Sequence, residues 1–167
     1  MFKLSEAAEK GLRDAGWTPN RSIDISEDEE WLIQHGYVIN DLIRTVLAEF
    51  GGLHLVIPCF GDEELIIRYF GKSALKDSAD FDVIEAEKGT FIGNIRILEK
   101  YTSNDMLIPI GQSYQRHITN MISYSGKIYG AYTEFWQYGE DIHDYINGLY
   151  QKRPGIKIRV PEMEEVG

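Results

Sequence analysis

The densest set of groups that could do chemistry is Glu140, Asp141, His143 and Asp144, three carboxylates and an imidazole within five residues. Converging, they could hold a divalent metal or share acid–base work. Their spacing matches no metal-ligand motif, and acids at a helix start have a plainer role facing the positive end of its dipole, with Asp141 and Asp144 expected in solvent. Phe70-Gly71-Lys72-Ser73 resembles the end of a phosphate loop, but that pattern needs glycine five positions before Gly71, where Ile66 stands. The histidines, His35, His54, His117 and His143, are scattered, and no serine sits in a Gly-x-Ser-x-Gly elbow. Cys59, the only cysteine, follows Pro58 at a strand exit and reads as a small buried apolar side chain. Glu63 and Glu64 could act as an acid–base pair only in a cleft that sequence does not display. No catalytic constellation emerges, so no enzyme activity, metal or cofactor is expected.

Groups suited to recognition are more prominent. Tyr129, Tyr132, Phe135, Trp136 and Tyr138 precede the acids Glu140 and Asp141. They could be sheet packing, or they could be interface anchors with an acidic rim. A formal net charge of −10 argues against nucleic acid, which is bound through basic patches. That charge suits steering toward a basic protein, and equally suits plain solubility. Asp62-Glu63-Glu64, in a loop, joins Glu140 and Asp141 as a candidate rim, with Trp136 and Tyr138 as anchors. The acidic run at Asp28-Glu29-Glu30 is accounted for by helix capping. No apolar run approaches the roughly 20 residues that cross a bilayer. The N-terminus lacks the basic and apolar regions of a signal peptide, so a cytoplasmic protein is expected.

The elements that must position these groups follow from periodicity. Leu4, Ala8, Leu12 and Ala15 have helical spacing, closed by Gly16. Ser26-x-x-Glu29 has the form of a capping box, and Gly36 breaks the helix it opens. Ile39, Leu42, Ile43, Val46, Leu47 and Phe50 make the clearest amphipathic helix, ended by Gly51-Gly52. Residues 53–57 and 65–70 are rich in β-formers and predict two strands joined by the loop at 58–64. Residues 71–80, small and polar, predict loop. Residues 81–101 could form one helix burying Ile84, Ile92, Ile95 and Leu98, or could break near Gly89. Residues 118–124 and 127–133 flank Ser125-Gly126 as a β-hairpin. Ile142, Tyr145, Ile146 and Leu149 form the stripe of a last helix, Ile156 to Val160 a short strand, and Glu162 to Gly167 should fray. This order predicts an α+β domain, a mostly antiparallel sheet with helices packed against it.

One segment carries more information than the rest. In Gly16-Trp17-Thr18-Pro19-Asn20-Arg21 a glycine releases a helix and a tryptophan enters the core with its N–H satisfied. Pro19 stiffens the exit, Asn20 tolerates left-handed φ, and Arg21 offers a five-donor fork for a carboxylate or backbone carbonyls. With Phe50-Gly51-Gly52-Leu53 downstream, then Leu107-Ile108-Pro109-Ile110-Gly111, the Ser125-Gly126 hairpin and a final helix, this resembles the third family of the SUKH superfamily of bacterial immunity proteins. The family's commoner form has glycine where this chain has Asn20. The resemblance implies a single SUKH-like domain over residues 1–153, followed by a C-terminal extension at 154–167. It implies a non-enzymatic protein that binds and neutralises a cognate bacterial toxin domain, and a basic nuclease would fit an acidic inhibitor. It implies structural roles for Gly16, Trp17, Pro19, Arg21, Gly51, Gly52, Pro109 and Gly111. A protein-binding adaptor of the same fold, or a small enzyme using carboxylates in a hidden cleft, are the alternatives. Oligomeric state is left open.

Overall fold

The first two helices end by the same device. In the computed structural model, which describes residues 1–164, α1 (Glu6–Asp14) starts at Ser5, whose side chain accepts the Ala8 N–H, and buries Ala8 and Leu12. It closes at Gly16, with φ +102°, where the Trp17 N–H reaches back to the Leu12 carbonyl at 2.9 Å. α2 (Ser26–Gln34) closes at Gly36, with φ +90°, where the Tyr37 N–H reaches the Leu32 carbonyl at 2.9 Å. A left-handed glycine permits this backward bond and brings a leucine and an aromatic together, here all four buried. The start of α2 departs from expectation. Ser26 gives both its N–H and its hydroxyl to Asp24, so no capping box forms, and Glu29 instead accepts Arg44. α3 (Asp41–Phe50) is capped by Asn40 and buries Ile43, Val46, Leu47 and Phe50.

Seven strands lie in chain order in one sheet, each neighbouring pair antiparallel: β1 (His54–Pro58), β2 (Lys76–Asp80), β3 (Leu107–Ser113), β4 (Ile118–Ser123), β5 (Ile128–Ala131), β6 (Phe135–Gly139) and β7 (Ile156–Ile158). Every residue of β3 is buried, so both faces of the sheet are covered at its centre. α5 (Val83–Lys88) and α6 (Ile92–Glu99) pack on β3, while α7 (Ile142–Tyr150) and α1 pack together over β1, with α7 also against β6. This is the α+β architecture that the periodicity implies.

Two readings need correction. Residues 65–70 are not a strand but most of α4 (Glu63–Phe70), because Asp62 caps the Leu65 N–H and starts a helix there. The loop at 58–64 therefore joins a strand to a helix. Residues 71–80 are not loop: a 3-10 turn (Lys72–Leu75) leads into β2, whose polar side chains hide a strand held by neighbours on both edges. Of the two alternatives for 81–101 the chain takes the break at Gly89, forming two helices, with Ile95 and Leu98 buried and Ile84 and Ile92 only half-buried.

Pro109 and Gly111 explain how a proline and a glycine sit in a central strand. The pairing of β3 with β4 shifts between them, and a bulge tolerates proline's missing donor. A Cβ on Gly111 would lie 2.2 Å from the Asp80 carbonyl, so only glycine lets β2 approach. Beyond residue 153, β7 pairs with β6, and α8 (Pro161–Glu164) sets Met163 against the core and Glu162 on the Tyr101 hydroxyl. Glu162 to Glu164, expected to fray, are thus helical, and residues 165–167 lie outside the described residues.

Candidate partner-binding surfaces

The two signature segments meet. Trp17 is buried and donates its Nε1–H to Glu49 Oε1 at 3.1 Å, with the Arg13 guanidinium 5.5 Å over its ring. Arg21 forks onto two backbone carbonyls at the end of α3, Nη1 to Glu49 O at 2.5 Å and Nη2 to Gly51 O at 2.8 Å. Thr18 to Arg21 form a turn closed by the Arg21 N–H on the Thr18 carbonyl at 3.1 Å, with Pro19 at its second position. Asn20 is absent from the residues of positive φ, so its tolerance of left-handed backbone is not used. Gly51 stops α3 where a Cβ would stand 2.4 Å from the Leu47 carbonyl, and Gly52 takes φ +78°. The side-chain donors of Trp17 and Arg21 are directed inward, onto the chain itself.

The late aromatics divide between core and surface. Tyr129 and Phe135 are buried and stacked at 5.4 Å, whereas Tyr132 is 61% exposed. Trp136 and Tyr138 share one side of β6, half-buried, with ring centroids 6.0 Å apart. Gly155 lies against both, and burial pushes the Tyr138 phenol upward. Just past the end of β6, Glu140 is exposed and accepts Gln137, which points to the opposite side of the strand from those two rings, at 3.0 Å, with Lys127 4.0 Å away. Asp141 caps α7 through the Asp144 N–H and accepts the Phe2 N–H at 2.8 Å.

Asp144 corrects the expectation of a solvated acid. It is buried, pairs with Arg153 Nη1 at 2.8 Å and accepts the Glu140 N–H. His143 Nδ1 lies 2.8 Å from the Phe2 carbonyl. The cluster that could have bound metal is thus dispersed into separate bonds, and no group of three or more such side chains converges among the described residues.

The other acidic segment opens α4. Asp62 is its N-cap and Glu63 lies 3.4 Å from Lys152. Lys152 follows the C-terminal end of α7 while Asp141 caps its N-terminal end, so a helix of nine residues, roughly 13 Å long, separates the two acid groups. The structure does not bring them together. Cys59 is half-buried rather than a core side chain. α4 itself buries no residue, leaving Leu65 50%, Tyr69 70% and Phe70 74% exposed.

A cavity of about 870 Å³ opens on the other side of the sheet. Its floor is Gln112, Thr119 and Ala131, part of one row of paired residues running from His54 through Asp80 to Phe135 and Ile158. Phe91 and Met163 wall it, and Arg116 and His117 reach it from the β3–β4 turn. Tyr114, Gln115 and Arg116 all hold positive φ there, an uncommon run for residues with side chains. Neither this cavity nor the exposed α4 stripe was read from the sequence, because both arise from how elements pack.

The SUKH-3 immunity protein family matches residues 4–152, and the chain belongs to that family. No curated protein and no solved structure matches it.

Proposed function

We propose that this SUKH-3 immunity protein neutralises one cognate toxin domain, a basic protein, by binding it stoichiometrically inside the producing cell and without catalysis. The family match across residues 4–152 carries the reading, since that family implies immunity to a toxin. Three features support its finer parts. The net charge of −10 favours a basic partner over nucleic acid. The acids and imidazole near residue 140 are engaged in separate internal bonds rather than aimed at a common point. Among the described residues no helix is long and apolar enough to cross a membrane. The toxin-facing surface we assign is the β6 patch, with Trp136 and Tyr138 as anchors and Glu140 on the rim. Asp141 holds that rim by capping α7.

The test is to identify the cognate toxin domain by capture on the purified chain or from a neighbouring gene, co-express the two, and titrate the purified pair. Growth should be restored, and toxin activity should fall to zero at one equivalent. Neutralisation at far below one equivalent would reveal turnover and overturn the binding mechanism. Failure to form any complex would overturn the immunity role.

A further inference from the structure

α4 carries a stripe that helices ordinarily bury. Asp62, Leu65, Ile66, Tyr69 and Phe70 stand at i, i+3, i+4, i+7 and i+8. None of them is buried. A helix of eight residues is too short to persist on propensity alone and draws its stability from packing that stripe against something. Contiguous exposed apolar surface marks an interaction site.

Charge along this segment is sorted by sign. Asp62, Glu63 and Glu64 open it, while Arg68, Lys72 and Lys76 close and follow it. All six are exposed, and among the described residues only Glu63 of the six has an ion-pair partner, Lys152 at 3.4 Å. The helix dipole accounts for the order of the charges but not for the apolar stripe between them. Three acids against three bases leave the patch locally neutral on a chain of net charge −10. A basic toxin has no electrostatic reason to choose it. A copy of the same patch, turned end for end, matches it in both charge and apolar surface.

We propose that α4 is a self-association surface on which a second copy of the chain docks antiparallel about a two-fold axis near Ile67. Leu65 then faces Tyr69 of the second copy, and Asp62 faces Lys72 of the second copy. The two-fold makes each contact occur twice. It covers the apolar stripe and leaves the β6 patch free.

Two charge-reversed chains test this, E63K/E64K and R68E/K72E, all at exposed positions. Sedimentation velocity should show a dimer for the natural chain and monomers for each variant alone, with self-association weakened more than about tenfold by like charges brought together. An equimolar mixture of the two variants should restore the dimer, because each end then meets its opposite. Circular dichroism confirms that the variants fold. A monomeric natural chain, dimeric variants, or a mixture that stays monomeric would each overturn the proposal. L65E/Y69E separates this site from the toxin surface: it should abolish the dimer and leave toxin neutralisation intact. Loss of toxin binding from a chain that was monomeric throughout would assign α4 to the toxin instead.

Discussion

Arg21 is an external cap for α3, and its removal should be measurable as lost stability. Its two donors satisfy the Glu49 and Gly51 carbonyls at 2.5 and 2.8 Å, where the helix ends and cannot satisfy them itself. Hydrogen bonds from a charged donor contribute about 1.5–3 kcal/mol each, and this site is partly open to water, so the lower value applies. A cation at a helix C-terminus adds about 0.3–1 kcal/mol. Arg21→Met should therefore lose about 3–4 kcal/mol, which at this chain length lowers Tm by roughly 6–16 °C. Arg21→Lys keeps the charge but not the planar fork, and should lose roughly half as much. The assay is urea denaturation of both variants, followed by a double-mutant cycle with Trp17→Phe. Trp17 also bonds Glu49, so the two losses should couple rather than add. Arg21→Met within 0.5 kcal/mol of the natural chain, or Arg21→Lys indistinguishable from it, would refute the capping argument.

Trp17→Ala should cost about 3–5 kcal/mol by urea denaturation, as buried aromatic truncations do; a change of a few tenths would mean that the ring is not a core pin. Gly111→Ala should cost about 1–3 kcal/mol by driving β2 from β3, read as a lower denaturation midpoint, since its Cβ would meet the Asp80 carbonyl at 2.2 Å. Burial pushes the phenols of Tyr37, Tyr114 and Tyr150 from 10 up to about 12, and Tyr129, Tyr138 and Tyr145 also upward. A raised folded value means that this stability is complete below pH 10 and is lost as pH rises through 12. Absorbance at 295 nm should show these phenols ionising late and with unfolding; a single step near 10 with the fold intact would contradict it. On the β6 patch, Glu140→Gln should slow toxin association at low salt and Trp136→Ala should raise dissociation, both by surface-binding kinetics. Unchanged rates would remove that patch from the interface.

What could be read from the sequence was what local chemistry decides. Gly16 closes α1, the stripe from Ile39 to Phe50 forms α3, and Ser125-Gly126 turns β4 into β5, with Gly126 at φ +98°. β2 could not be read, because Lys76-Asp77-Ser78-Ala79-Asp80 has little strand propensity and is a strand only through β1 and β3. α4 was misread for a different reason. Leu65 to Phe70 are apolar apart from Arg68 and rich in β-formers, which hides the helical stripe beginning one turn earlier at Asp62. At α2 the capping box failed because Asp24 claimed Ser26 first. The candidate site was legible as residue types and not as geometry: Trp136 and Tyr138 do stand together, while the two acid groups lie at opposite ends of α7.

In the function proposed above, the family's signature and the toxin-facing surface occupy different parts of the molecule. Trp17 gives its only side-chain donor to Glu49, Arg21 binds the end of α3, and Gly51 and Gly111 stand where a Cβ would strike a backbone carbonyl. Groups spent on internal bonds cannot also discriminate between toxins, since each would have to break its own contact first. In that proposal partner specificity comes from side chains that face solvent, such as Glu140, Trp136 and Tyr132, whose contacts hold less of the fold. The two classes should fail differently. Variants in the signature should lose melting temperature, and bind toxin normally in whatever fraction remains folded. Variants on the β6 patch should keep the melting temperature and change rate constants. A signature variant that kept full stability yet lost toxin binding would break this division, and would move recognition to the segment joining α1 and α3.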